Sequence, residues 1–347
     1  MMYQVIGLMS GTSLDGLDLC FVRFQKNEKW QFEILQAETI PYPIDWEEKL
    51  RNSILLSSEE LLEFHSEYGF YLGKQVNAFI QKYQLENVDF IASHGHTVFH
   101  NPKKKYTFQL GDGMALKATT GIPVIYDFRS QDVILGGNGA PLVPIGDELL
   151  FKEYSACLNL GGFSNISMKK EGKRIAFDIC PVNIMLNRFA AELGKKYDEN
   201  GLLARNGIVD AELLSFLNAL DFYSQGPPKS LGIEWVIKEI NPIILNRKPE
   251  DLLATFTEHA AVQISKVFNT YALKNVLVSG GGTFNSYLME KVQRKTQTEI
   301  IIPDEKIIHF KEALIFAFMG MLRTRNEINV LASATGSIKD HSSGINA

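Results

Sequence analysis

The chain reads as an α/β protein of two related lobes, a reading that rests on length, on alternating patterns and on an internal echo. Its 347 residues exceed one ordinary domain and suit two lobes of about 150–200 residues each. Strand-like apolar runs alternate with helix-like stretches throughout, as in α/β proteins. An apolar strand, a glycine turn and a second strand open the chain, and the same theme restarts at Ala156. Hydrophobic residues make up 45% and charged residues 22%, proportions that supply a real core.

Each element follows from local pattern. Residues 2–9 form an apolar strand, residues 10–16 a turn of Gly, Ser and Thr, and residues near 17–24 a second strand. Apolar residues recurring at threes and fours predict helices over 45–55, 58–65 and 68–83. A short buried strand over 88–93 ends at the polar run His94-Gly95-His96-Thr97. A Gly- and Pro-rich connection covers 134–146, and the lobe boundary is placed just before it, giving lobes 1–127 and 128–347. In the second lobe the strand Ala156–Leu160 runs into Gly161-Gly162-Phe163-Ser164-Asn165, and the strand Asn275–Val278 into Ser279-Gly280-Gly281-Gly282, which opens a helix. Two such lobes facing each other would enclose a nucleotide.

Charge and cysteine usage narrow the function. A net charge of −5 argues against a nucleic-acid partner, since phosphate neutralisation needs clustered Lys and Arg. The run Lys103-Lys104-Lys105, between Pro102 and Tyr106, reads as a solvated turn. The start lacks a basic segment followed by an apolar one, and no apolar run is long enough to span a bilayer, so a cytoplasmic protein without a membrane partner is expected. Cys20, Cys157 and Cys180 have no C-x-x-C spacing, which fits reduced thiols better than a zinc site.

Several constellations carry chemistry. In the segment from Gly7 to Asp18, backbone N–H groups and hydroxyls can wrap phosphate oxygens, and Asp15 and Asp18 suit a hydrated Mg2+. An ordinary hairpin uses the same turn residues, and no G-K-[ST] follows, so the segment is not a Walker A loop. Asn159–Asn165 is a second phosphate-loop candidate, and at Ser279–Gly282, with Asn285, small residues would let a base or ribose approach the backbone. Asp178 ends a strand before Pro181, where a cleft-facing carboxylate or a helix N-cap would both fit. His94, His96 and His100 match no zinc spacing, so sugar contacts from His94 and Thr97, or a satisfied loop, are expected instead. Arg129 suits a bidentate clamp on a substrate carboxylate, or a surface pair with Asp127 or Asp132. No G-x-G-x-x-G follows the first strand, which disfavours a Rossmann dehydrogenase.

Those motifs, in that order, resemble the anhydro-N-acetylmuramic acid kinase family of the sugar kinase, Hsp70 and actin superfamily. The resemblance runs over nearly the whole chain: Met9-Ser10-Gly11-Thr12-Ser13-Leu14-Asp15-Gly16, His94-Gly95, Thr97, Gly111-Asp112, Asp127-Phe128-Arg129 and Gly136–Pro144, then Asn159–Gly162, Tyr197-Asp198, Pro228-Lys229-Ser230, Gly280–Gly282 and Glu312-Ala313. It implies a two-lobed actin-like ATPase fold (ribonuclease H-like) with a central nucleotide and substrate cleft, and an enzyme that uses ATP and Mg2+ on a small-molecule amino sugar. Water would open the anhydro bridge while O6 is phosphorylated, in peptidoglycan recycling. The match carries ATP-phosphate contacts to Gly11, Thr12, Ser13, Leu14, Asp15, Gly16, Leu17 and Asp18, with Gly161, Gly162 and Asn165, and adenosine contacts to Gly280, Gly281 and Gly282. It makes Asp178 the general base with Glu312 beside it in catalysis, gives the sugar His94, Thr97, Arg129 and Asn183, and leaves a homodimer open.

Departures from the family pattern cluster near the base. Ile179, Cys180 and Val182 interrupt Asp-Thr-Gly-Pro-Gly-Asn, Asn187 replaces a later Asp, His96 replaces Gln, and Ile233 stands where Arg is expected. Loss of two glycines is expected to restrict the backbone beside Asp178. A kinase for another amino sugar and a non-catalytic ATP-binding sensor are the alternatives; retention of Asp15, Asp178 and Glu312 argues against the sensor.

Overall fold

The structure is a computed structural model and describes residues 2–347 apart from Thr12, Ser13 and Asp15. Two compact units divide it. The first joins the residues up to Leu150 with Phe310–Ala347, and the second is Phe151–His309. This differs from a boundary at 127, because the Gly-rich stretch after it is fixed within the first unit. The Asp132 carboxylate accepts from Gly139 N (2.7 Å) and Thr335 Oγ1 (2.8 Å), and Asn138 N donates to Thr335 O at 2.8 Å. What reads as a linker is a built loop, tied to the chain's last residues.

In chain order the strands are β1 (Met2–Ser10), β2 (Leu17–Lys26), β3 (Trp30–Ile40), β4 (Phe90–Ser93), β5 (His96–Asn101), β6 (Tyr106–Leu110) and β7 (Val124–Tyr126), followed by β8 (Ala156–Leu160), β9 (Phe163–Lys170), β10 (Lys173–Pro181), β11 (Asn275–Ser279), β12 (Glu299–Ile301) and β13 (Ile345–Asn346). The first unit's main sheet has the order β13-β7-β4-β1-β2-β3. Within it β1, β2 and β3 form an antiparallel meander, while β4 runs parallel to β1 and β7 parallel to β4. The second unit's sheet has the order β10-β9-β8-β11-β12. Here β8, β9 and β10 form the meander, and β11 and β12 add in parallel on the far side of β8. Leaving aside the short edge strand β13, both units share one topology, the ribonuclease H-like order that the family resemblance implies.

Helices cover these sheets. The helices expected over 58–65 and 68–83 are a single helix, Ser58–Tyr83, opened by a capping box between Ser57 and Glu60. Its two glycines serve packing and do not break it. A Cβ on Gly69 would lie 2.5 Å from the Asp112 carbonyl oxygen, and one on Gly73 would lie 2.5 Å from Thr119 Cβ. Among the described residues no helix is long and apolar enough to cross a membrane.

The helix Glu305–Thr324 is the centre of the first unit from Phe310 onward, with Ala313 through Met319, Met321 and Leu322 all buried. It approaches the sheet through small residues. A Cβ on Gly7 of β1 would collide with the carbonyl oxygen of Ala313, and one on Gly320 would lie 2.7 Å from Ala92 Cβ of β4. Phe318 packs on Phe24 and edge-on to Trp30, at ring distances of 5.3 and 5.5 Å. Gly7→Ala is therefore expected to destabilise the protein by about 1–3 kcal/mol, the usual cost of overpacking, and urea unfolding checks this; an unchanged midpoint would contradict so tight a contact.

Candidate active site

In the first unit the β1–β2 turn is the leading phosphate candidate. Thr12, Ser13 and Asp15 lie outside the described residues. Around them, Leu14 N donates to Gly11 O at 3.3 Å with Leu14 at φ 60°. Gly16, at φ 153°, leaves no room for a side chain, since a Cβ would lie 2.6 Å from Ile40 O. Leu17 is fully buried, so its side chain belongs to the core. Asp18, on β2, accepts from Thr39 Oγ1 at 2.5 Å.

A buried hydroxyl network that sequence reasoning missed braces the root of this turn. Tyr42 Oη donates to Ser10 Oγ at 2.8 Å and lies 2.6 Å from Tyr68 Oη. Ser10 Oγ also lies 3.3 Å from His96 Nδ1. Burial pulls the His96 imidazole down to about 4 and pushes the Tyr42 phenol up to about 12, so both groups are neutral partners at physiological pH. The position of His96 where the family has Gln is the one sequence signal that pointed here; the tyrosines gave none.

His94, at the end of β4, is buried and held from both sides. Its Nδ1 lies 2.8 Å from Gly95 O, and Arg129 Nε donates to its Nε2 at 2.7 Å. That arrangement requires a neutral ring protonated at Nδ1, and burial, helped by the Arg129 charge, holds its pKa well below the usual imidazole value. Both ring nitrogens thus have partners within the protein, Gly95 O and Arg129 Nε. Arg129 also donates from Nη1 to Gly139 O at 3.2 Å, whereas Asp127 accepts from Ser130 N; a surface Arg–Asp pair is not formed. Glu312 is exposed, feels the Arg129 charge, and is nonetheless raised in pKa by the protein around it. Thr97 accepts from Gln109 Nε2 at 3.4 Å, and His100 Nδ1 lies 3.0 Å from Thr107 Oγ1. The three histidines therefore serve three different partners, and among the described residues no cluster of three or more acidic, His or Cys side chains could hold a metal ion.

The second unit brings its two glycine turns together. Gly280, at φ 83°, has no room for a Cβ against Asn159 Oδ1, and a Cβ on Gly282 would lie 2.8 Å from Leu160 Cβ. Asn183 braces the same place by donating from Nδ2 to Leu160 O at 3.1 Å. The carbonyls of Gly161 and Gly162 accept from Asn183 N, Val182 N and Ile184 N, while the N–H groups of both glycines donate to nothing among the described residues. Successive unpaired amides on a turn are donors of the kind that can face an anion. Asn285 caps the helix Ser286–Gln293, accepting from Leu288 N at 3.0 Å.

Asp178 lies inside β10, not at a helix start as an N-cap would. Its register partner on β9 is Asn165, which faces Asn159 of β8 in turn; Asn165 is thus a strand neighbour of Asp178. The register shifts between Asp178 and Cys180, a bulge of the kind that re-aims side chains beside active sites. Asp178 N donates to Lys229 O at 3.0 Å, and Leu231 N donates to Asp178 Oδ2 at 2.7 Å. Oδ1 has no partner among the described residues. Burial raises the carboxyl's pKa, opposed by the Leu231 N–H. The substituted positions beside it are core: Ile179, Cys180 and Val182 are buried, and neither Cys180 nor Val182 takes a positive φ. Val182 stands at φ −128° and ψ −95°.

Two ribonuclease H-like units in one chain, with glycine turns after their leading strands and a half-buried carboxylate on the second, define the actin-like ATPase and sugar-kinase class. The comparisons with known proteins take this further. The family model for anhydro-N-acetylmuramic acid kinase matches residues 3–346. The anhydro-N-acetylmuramic acid kinase of Mannheimia succiniciproducens is 34% identical, covering 98% of this chain and 97% of the relative. That of Haemophilus influenzae is 35% identical over 95% and 94%, and that of Vibrio cholerae 32% over 98% and 97%. The chain belongs to the anhydro-N-acetylmuramic acid kinase family, a family of phosphotransferases.

Replacing Arg129 tests the His94 assignment. Arg129→Met leaves His94 Nε2 and Gly139 O unpaired, which is expected to cost about 1–3 kcal/mol of stability. With the neighbouring cation gone, the His94 pKa is expected to rise toward its ordinary value, read by imidazole NMR. A His94 titration unchanged in the variant would contradict the pairing.

Proposed function

We propose that this chain is an ATP-dependent kinase that opens the 1,6-anhydro bridge of anhydro-N-acetylmuramic acid with water and phosphorylates the O6 so released. The product is N-acetylmuramic acid 6-phosphate, formed in the cytoplasm during peptidoglycan recycling. The observation that carries the reading is the state of Asp178. One oxygen is fixed by the Leu231 N–H, the other is free, and burial keeps the group a better base than an ordinary aspartate.

In this reading Asp178 Oδ1 takes a proton from the attacking water, whose oxygen bonds to C1 as the C1–O6 bond breaks. O6 then accepts the γ-phosphoryl group, and ADP leaves. The free amides of Gly161 and Gly162 hold phosphate oxygens, a role the segment Gly11–Asp18 also serves; in the turn Gly280–Gly282, Gly281 leaves open space for the adenosine. Because phosphoryl transfer asks the protein mainly for positioning and charge stabilisation, such backbone donors are suited to the task. Mg2+ would be held by Asp18 and Asp15, oxygen ligands of the kind this ion prefers, and when bound supplies charge neutralisation at the phosphates. Arg129, with Nη2 uncommitted among the described residues, receives the sugar's carboxylate, and Glu312 accepts from a sugar hydroxyl. Asn183, whose Nδ2 is used on Leu160 O, keeps its amide oxygen for substrate.

Purified protein with ATP, Mg2+ and the anhydrosugar is expected to yield ADP and a hydrated sugar phosphate in equal amounts, read by coupled ADP release and mass spectrometry. Asp178→Asn is expected to lower turnover by at least about 10²-fold, the scale of general-base catalysis. Because the Asp178 pKa is raised, activity should fall with acidity at a pH above the ordinary aspartate range. ATP binding without any sugar product would overturn the substrate assignment.

A further inference from the structure

The motif Pro228-Lys229-Ser230 has no role in the reading above, and its surroundings suggest one. Beyond its place in β10, Asp178 makes two bonds to the 229–231 segment: its own N–H donates to Lys229 O, and its Oδ2 accepts from Leu231 N. That segment is irregular backbone, outside any helix or strand, so something must fix it. Lys229 reaches back to the turn Asp221–Ser224, where its Nζ donates to Phe222 O at 3.0 Å and stands 4.4 Å from the centre of the Phe222 ring. The same carbonyl accepts from Gln225 N at 3.3 Å.

The turn that receives Lys229 is itself anchored in the core. Phe222 and Tyr223 are buried, and the Phe222 ring lies 5.5 Å from that of Trp235. Tyr223 Oη lies 2.8 Å from Nε2 of the buried His259, whose Nδ1 lies 2.8 Å from Asn218 Oδ1. His259 sits on the helix Pro249–Thr270, the main apolar support of the second unit. A continuous chain of contacts thus runs from that helix through Tyr223, Phe222 and Lys229 to the carboxylate.

We propose that Lys229 is a positioning residue for Asp178: its ammonium ties the 229–231 segment to the Phe222 carbonyl, and the segment in turn holds the carboxylate through the Leu231 N–H. The inference rests on the assignment of Asp178 as base. Lys229 acts through backbone and not through its charge, since what opposes the burial of Asp178 is the Leu231 N–H. The other ionisable groups nearby are Lys266, which faces Lys229, and the buried Cys180 thiol, pushed up to about 12 and hence protonated throughout the working range.

The test is the pH profile of kcat for Lys229→Met and Lys229→Arg in the full chain with ATP, Mg2+ and the anhydrosugar, alongside thermal melting and KM for ATP. Met keeps the stem on the Phe222 ring and removes the donor. It is expected to lower kcat about tenfold or more, the scale of a misplaced catalytic group, and to move the acid limb to higher pH by roughly half a unit or more as the Leu231 N–H is lost. KM for ATP should stay within about twofold of wild type, uniform binding being untouched. Arg, which keeps the donors, is expected to restore the wild-type limb. Should Met cost the fold, Lys229→Leu, which likewise lacks a donor, replaces it with the same expected shift. An acid limb that coincides with wild type in the neutral variant overturns the proposal, whatever the loss of kcat, as does an Arg variant that shifts like Met. An inactive wild type would instead refute the substrate assignment, so the two failures are told apart.

Discussion

The first unit depends on how closely the helix Glu305–Thr324 approaches its sheet. Gly7 offers no side chain where Ala313 O lies, and Gly320 rests on Ala92, so helix and strands meet at backbone distance. That contact sets the height of everything else the helix carries. Lys311 forms a buried pair with Asp147 at 2.8 Å, Glu312 projects beside it, and Phe316 lies 4.6 Å from the His94 ring and 5.7 Å from that of Phe128. A buried ion pair is weak evidence for net stability, because desolvation offsets its attraction, but its register is unforgiving once formed. Displacing the helix would strand Lys311 and Asp147 and tilt His94, and with it Arg129.

The second unit solves a different problem, that of presenting polar groups from a packed sheet. Asn159, Asn165 and Asp178 stand in one row across β8, β9 and β10, above a core that includes Leu158, Leu160, Ile179 and Val182. Alternation along a strand places neighbours on opposite faces, which is how a buried Phe177 can precede a half-buried Asp178. Unpaired backbone amides at Gly161 and Gly162 follow β8. Such donors are fixed by the fold, cost no reorganisation when charge develops, and leave side chains such as Asn183 free to brace the turns.

Local chemistry in the sequence made the strands, the glycine turns and the echo between halves legible, because each depends on residues within a few positions. Of the proposed site, Asp178, Gly161, Gly162 and Arg129 stood out as residue types within motifs, and the partners that hold them did not. What stayed hidden depends on distant partners. The Gly136–Gly139 stretch has a linker's composition, and only Thr335, some two hundred residues away, makes it a fixed loop. The Arg129 guanidinium on His94 Nε2 is likewise a pairing across 35 residues that no local pattern encodes. The helix Ser58–Tyr83 read as two stretches, 58–65 and 68–83, because nothing local reveals that the segment Asp112–Thr120 lies against its Gly69 and Gly73. The bulge at Asp178 and the hold of Leu231 on its carboxylate are likewise pairings between segments that no periodicity encodes.

The discontinuous first unit has a consequence for how the protein is made. A ribosome delivers β1 through β7 first, but the helix that covers them arrives only after the whole of Phe151–His309. Until then Gly7, Ala92 and their apolar neighbours face no partner. The second unit is contiguous and complete by itself, so it can fold while its predecessor waits. The unit begun first is therefore finished last, and its uncovered sheet is the stretch most exposed to misassembly during synthesis. A nascent chain stalled before Phe310 would hold a finished second unit and an unfinished first one, which makes the return of the helix Glu305–Thr324 the step that commits the first unit.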